Sequence, residues 1–161
     1  MKHNVTLQSC VLACTVAGAL FLLAGRASAQ APSIEGTYLL VSRTLQDGTV
    51  HKPPEVIGVQ TYTKGYRQFN ILSKEPDGKI LSRSIVATYT LTPTEYTETT
   101  LFHVFIRGQE VRNLSEQPQR SAVTVEAGRI TFQLEQRVTV FEQDRFTATS
   151  ATNVDLWERV K

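Results

Sequence analysis

The chain has 161 residues, 17 Lys+Arg against 15 Asp+Glu, and 2 cysteines. Charge this close to balance excludes a nucleic-acid or anionic-membrane partner held by bulk electrostatics. Both cysteines, Cys10 and Cys14, fall within residues 1–29, so the rest of the chain has no disulfide, no thiolate nucleophile and no cysteine metal ligand.

Residues 1–29 read as a cleavable signal peptide. Lys2 and His3 precede an apolar run from Val11 to Ala24, and Ala27-Ser28-Ala29 supplies the small residues a signal peptidase takes. An uncleaved membrane anchor is the alternative, but the run is shorter than the ~20 residues a bilayer span needs. Cys14 does not suit a lipid-anchor signal, because the apolar core follows it. Cleavage leaves residues 30–161 in a secreted or periplasmic setting, with no stable membrane insertion. That length suffices for a single domain held by core packing.

Thr, Val, Ile, Tyr and Phe recur through residues 30–161, between closely spaced turn signals, which favours strands over helices. Strands are expected over Gly36–Leu45, Val56–Thr63, Tyr66–Ser73, Lys79–Leu91, Glu95–Ile106, Ser121–Glu126, Arg129–Phe141 and Phe146–Val160. Asp47-Gly48, Asp77-Gly78 and Ala127-Gly128 mark hairpin turns, and the polar stretch 108–119 reads as a long loop or an irregular edge. The result is all-β: an antiparallel up-and-down barrel of about eight strands, a size that can hold one small ligand, or a sandwich. Alternation assigns Leu81, Arg83, Ile85, Ala87, Tyr89 and Leu91 to one inner face, Ile130, Phe132 and Leu134 to another, and adds Phe69 and Ile71.

The stretch Gly36-Thr37-Tyr38-Leu39-Leu40-Val41-Ser42, the Asp47-Gly48 turn and Gly58-Val59-Gln60-Thr61-Tyr62-Thr63 resemble the opening of bacterial lipocalin-like domains. Asp155-Leu156-Trp157-Glu158-Arg159-Val160 is similar to their closing strand. Tyr38 stands where that family carries a Trp that closes the barrel floor. The resemblance implies a calycin-type barrel with an internal pocket and names no ligand.

On this reading Tyr38, Phe69, Arg83, Tyr89, His103, Phe132 and Trp157 line or close the interior, an aromatic wall with a few polar groups. An inward Arg83 or Arg67 needs a counter-charge, either an internal carboxylate such as Glu98 or an acidic ligand. His103, with Leu101 and Phe105 on its strand face, is a candidate acid or base if that face is internal. His51, beside Lys52-Pro53-Pro54, reads as a loop residue. No metal-ligand spacing, nucleophile elbow or phosphate-cradling loop is present, so no cofactor is expected. The expected function is binding of a small apolar or amphipathic molecule. The alternatives are a cavity-using isomerase, cyclase or hydrolase, and an envelope interaction protein whose barrel is filled by its own side chains.

Overall fold

The structure, a computed structural model, describes residues 32–75, 77–113 and 117–161; the expected signal peptide lies outside them. Among the described residues there is no helix. In chain order the strands are β1 (Gly36–Leu45), β2 (Val50–His51), β3 (Val56–Thr63), β4 (Tyr66–Lys74), β5 (Ile80–Leu91), β6 (Glu95–Arg107) and β7 (Glu110–Asn113). They continue with β8 (Gln119–Ala122), β9 (Thr124–Glu126), β10 (Arg129–Leu134), β11 (Arg137–Phe141), β12 (Arg145–Thr149) and β13 (Asn153–Arg159). All belong to one antiparallel sheet that curls into a half-barrel; eleven follow the order β7-β6-β5-β4-β3-β1-β13-β12-β11-β10-β9, while β2 pairs with β1 and β8 with β6 off that path.

The count is 13 strands, not about eight. Part of the excess comes from hairpins that carry no glycine signal. The expected strand Arg129–Phe141 is broken at Glu135-Gln136, and the expected strand Phe146–Val160 at residues 150–152. Two short strands add to the count: β2 includes His51, read as a loop residue, and β7 forms an edge of the sheet within the stretch read as a long loop or an irregular edge. The expected strand Ser121–Glu126 divides at Val123: β8 pairs with β6, whereas β9 pairs with β10.

That division leaves a seam. Opposite β8, the amides of Gln133 and Glu135 donate not to main-chain carbonyls but to Ser121 Oγ at 2.9 Å and Gln119 Oε1 at 3.0 Å. Side chains therefore satisfy donors that ladder pairing leaves open.

Two bulges decide which side chains point inward. In β1 the pairing passes from Leu40↔Trp157 to Ser42↔Leu156, so Val41 is the extra residue and Arg43 joins Tyr38 and Leu40 on the inner face. In β6, Val86↔Phe102 is followed by Ala87↔Thr100, which makes Leu101 the extra residue. Each bulge inverts the period-2 alternation beyond it. Leu101 is consequently exposed, and it does not share the face of His103 and Phe105, as strict alternation had required.

The core gathers at the end of the sheet where β1 begins and β3 finishes. Aromatic rings stack in series from Tyr89 to Tyr96, Phe132, Phe141, Phe146 and Trp157, with centroid spacings of 4.3 to 5.8 Å. Tyr38 and Tyr62 meet Phe141 edge-on. Rings pack offset or edge-to-face because their quadrupoles repel in register. Gly58 lets this floor close: a Cβ there would lie 2.7 Å from Trp157 Cη2.

Candidate functional site

Beyond the aromatic floor the inner face turns polar. Following each strand toward the other end of the sheet, the inward positions read Arg67 and Phe69 on β4, Arg83 on β5, Glu98 and His103 on β6, Arg43 on β1 and Asp155 on β13. Arg137 opens β11, and Glu135 sits in the turn before it. A buried charge is tolerable only when paired, and these side chains pair with one another.

Two groups form. In the first, Arg67 Nη1 donates to Glu98 Oε1 at 2.7 Å, and the Tyr96 hydroxyl donates to Glu98 Oε2. Arg83 Nη2 donates to Glu135 Oε2 at 2.9 Å, and Arg83 Nε donates to His103 Nε2 at 3.3 Å. Arg67 Nη2 lies 3.7 Å from Glu135 Oε1. Both guanidiniums lie over the Phe69 ring, at 5.3 and 5.9 Å from its centroid. In the second group, Arg43 grips Asp155 in bidentate fashion at 2.7 and 2.8 Å; Arg137 and Asn153 donate to the same carboxylate. Two-pronged geometry of this kind is what guanidinium offers a planar carboxylate.

Electrostatics follow from the pairing. Burial works to raise the Glu135 carboxyl, but Arg67 and Arg83 outweigh it and hold the group below its ordinary value. Burial pushes Arg137 down from its usual value, against the pull of Asp155. The Tyr62 and Tyr96 hydroxyls are raised, mainly by burial, and stay protonated.

Glu135 stands out by its backbone. The β10–β11 turn has positive φ at both central residues, 57° at Glu135 and 74° at Gln136. Hairpins of this shape normally place glycine or asparagine there, because a Cβ crowds the backbone in the left-handed region. The two other hairpin turns with a left-handed non-glycine residue, Lys64-Gly65 and Ala127-Gly128, keep glycine at the second position.

Two cavities adjoin the polar cluster. An internal one of about 30 Å³ is lined by Arg67, Phe69, Arg83, Glu135, Arg137 and Asp155, among others. That is room for ordered water, which needs ~10–15 Å³ per molecule on this measure, and not for an organic ligand. An open cavity of about 500 Å³ lies at the end of the sheet away from the aromatic floor, walled by Leu45, Val56 and Leu81, with Arg43, Lys74, His51 and Glu55. Arg43 and Asp155 connect the two, since Arg43 lines the open cavity while its partner Asp155 lines the internal one.

Of the residues the sequence singled out, Phe69, Arg83 and Trp157 line the internal cavity. Tyr38, Tyr89 and Phe132 are packed into the aromatic floor. His103 is buried against Arg83 and is in the wall of neither cavity. Arg67 faces inward, and Glu98 is its carboxylate partner. Arg43, Glu135, Arg137 and Asp155 were not singled out. The β1 bulge turns Arg43 inward and the β10–β11 turn carries Glu135, whereas plain alternation sets Asp155 on the face of Trp157 and Arg137 on the face of Thr139 and Phe141. Among the described residues, no group of His, Cys, Asp and Glu is placed to hold a metal ion. The arrangement can recognise an anion through fixed guanidiniums. Comparison with family models, curated proteins and solved structures finds no match to this chain.

Proposed function

We propose that this chain is an exported, lipocalin-like binding protein whose half-barrel, with β8 and β9 bridging its edges, takes a small amphipathic molecule at its open end. The observation that carries the reading is the open cavity of about 500 Å³, walled by Leu45, Val56 and Leu81. Small-molecule sites typically enclose ~300–1,000 Å³ with an apolar wall and a few oriented polar groups. Arg43 is one such group. The ligand therefore enters from the open end and stops above the aromatic floor, rather than filling the barrel as a purely apolar guest.

Native mass spectrometry of the protein purified from the cells that make it tests this directly. A discrete mass lost on denaturation, together with uptake of an apolar fluorescent probe that Leu81→Arg abolishes, supports the reading. A bare mass and no probe uptake retire it.

A second reading, a filled barrel that acts through its outer surface, draws on the ring stack from Tyr89 to Trp157. Phe146 and Trp157, at the end of that stack, line an internal cavity of about 30 Å³. The same two measurements, both negative, favour it.

A further inference from the structure

We propose that Glu135 is an internal stand-in for a ligand carboxylate: its side chain occupies an anion site built by Arg67 and Arg83, and an acidic amphiphile displaces it. The inference rests on the open end being the ligand site, and it names the ligand's chemical class.

The site is built. Arg67 is held by Glu98 and Arg83 by His103, and both guanidiniums rest over Phe69, so the two cations stand in place whatever occupies the space between them. Glu135 supplies that occupant, with Oε2 at 2.9 Å from Arg83 and Oε1 at 3.7 Å from Arg67. The fit is incomplete. Glu135 Oε1 and Arg67 Nε are both buried without a hydrogen-bond partner. A free carboxylate, not tethered to a turn, can adjust to donors that Glu135 reaches on one side only.

The tether is also strained. Glu135 and Gln136 hold left-handed backbone without glycine, a conformation that persists only when surrounding contacts impose it. The Glu135 amide is anchored by a side chain, Gln119 Oε1 at 3.0 Å, across the seam. Releasing the carboxylate relieves the turn, so displacement costs less than breaking a buried ion pair in a relaxed hairpin.

An entry route exists along β5. Leu81, in the wall of the open cavity, sits one inward position nearer the open end than Arg83 on the same strand. A carboxylate on Arg83 thus places the chain attached to it toward Leu81, Val56 and Leu45. The expected ligand is a monocarboxylate with a flexible apolar tail.

Calorimetric titration of decanoate and of decanol into the folded protein and its variants tests the proposal. Glu135→Ala binds decanoate at least tenfold more tightly than the wild type and leaves decanol unchanged; adding Arg83→Gln erases the gain. Glu135→Gln, which keeps the side chain's shape, shows a gain of the same sign if the alanine variant does not fold. Gln136→Gly, which relaxes the turn with Glu135 in place, weakens decanoate. Both amphiphiles binding with no gain from Glu135→Ala or Glu135→Gln, or with equal gains for acid and alcohol, overturn the stand-in role alone. Neither amphiphile binding any folded variant overturns the open-end ligand site and this inference together.

Discussion

Arg67 and Glu98 meet at 2.7 Å, with side chains 4 % and 1 % exposed, on strands that are not neighbours in the sheet. The pair spans the interior over β5 and lies against the aromatic floor through Tyr96, whose hydroxyl donates to the same carboxylate. Each charge left alone in that setting is far more costly than the pair is favourable.

Glu98→Gln is therefore expected to destabilise the protein by about 3–5 kcal/mol, by stranding the Arg67 charge. The double replacement Arg67→Met with Glu98→Leu restores most of that loss. Urea unfolding of the three variants checks this, and a double variant as weak as the single one contradicts it.

Gly58→Ala places a methyl 2.7 Å from Trp157 Cη2, too close to be accepted without a shift of the buried ring. Overpacking of this kind costs about 1–3 kcal/mol. The opposite change, Phe132→Ala, removes a ring stacked on both Tyr96 and Phe141 and costs about 3–5 kcal/mol. Thermal unfolding of both variants measures the two effects.

Gln136→Gly is expected to stabilise the fold by about 0.5–1 kcal/mol, because relief of left-handed strain outweighs the added freedom of the unfolded chain. Glu135→Gly is expected to destabilise instead, since it removes the Arg83 and Arg67 contacts along with the strain. Opposite signs at adjacent positions separate backbone strain from ion pairing.

Because the Glu135 carboxyl is held below its ordinary value in the folded protein, its charge contributes stability above the normal carboxylate range. That contribution is lost as the pH falls through the lowered folded value. Wild-type stability is expected to drop more steeply than that of Glu135→Gln as the pH is taken below about 4. Parallel curves for the two proteins, measured by chemical unfolding, contradict the assignment.

The β class and much of the inner face were legible because alternation is a local signal. Ile85, Ala87 and Tyr89 on β5, and Ile130, Phe132 and Leu134 on β10, are buried as their spacing requires. The number of strands was not legible. Glu135-Gln136 makes a tight hairpin without a residue that favours one, and the surrounding contacts, not local preference, impose it. Arg43 was hidden for a related reason. Val41 is an ordinary strand residue, and only the register of its partners makes it a bulge that turns Arg43 inward. An inward arginine was correctly read as demanding a carboxylate, because that demand belongs to the charge and not to the fold.

The pairing of β1 with β13 has a kinetic consequence. Arg43 and Asp155 are 112 positions apart, and Tyr38 finds Arg159 only after the last strand has been made. The ordering cost of closing so long a loop falls due before its contacts form. Until then, the first strand lacks one of its two flanking partners and its arginine is unmatched. The seam between the first and last strands is thus the late step of assembly, made only once Asn153–Arg159 is in place.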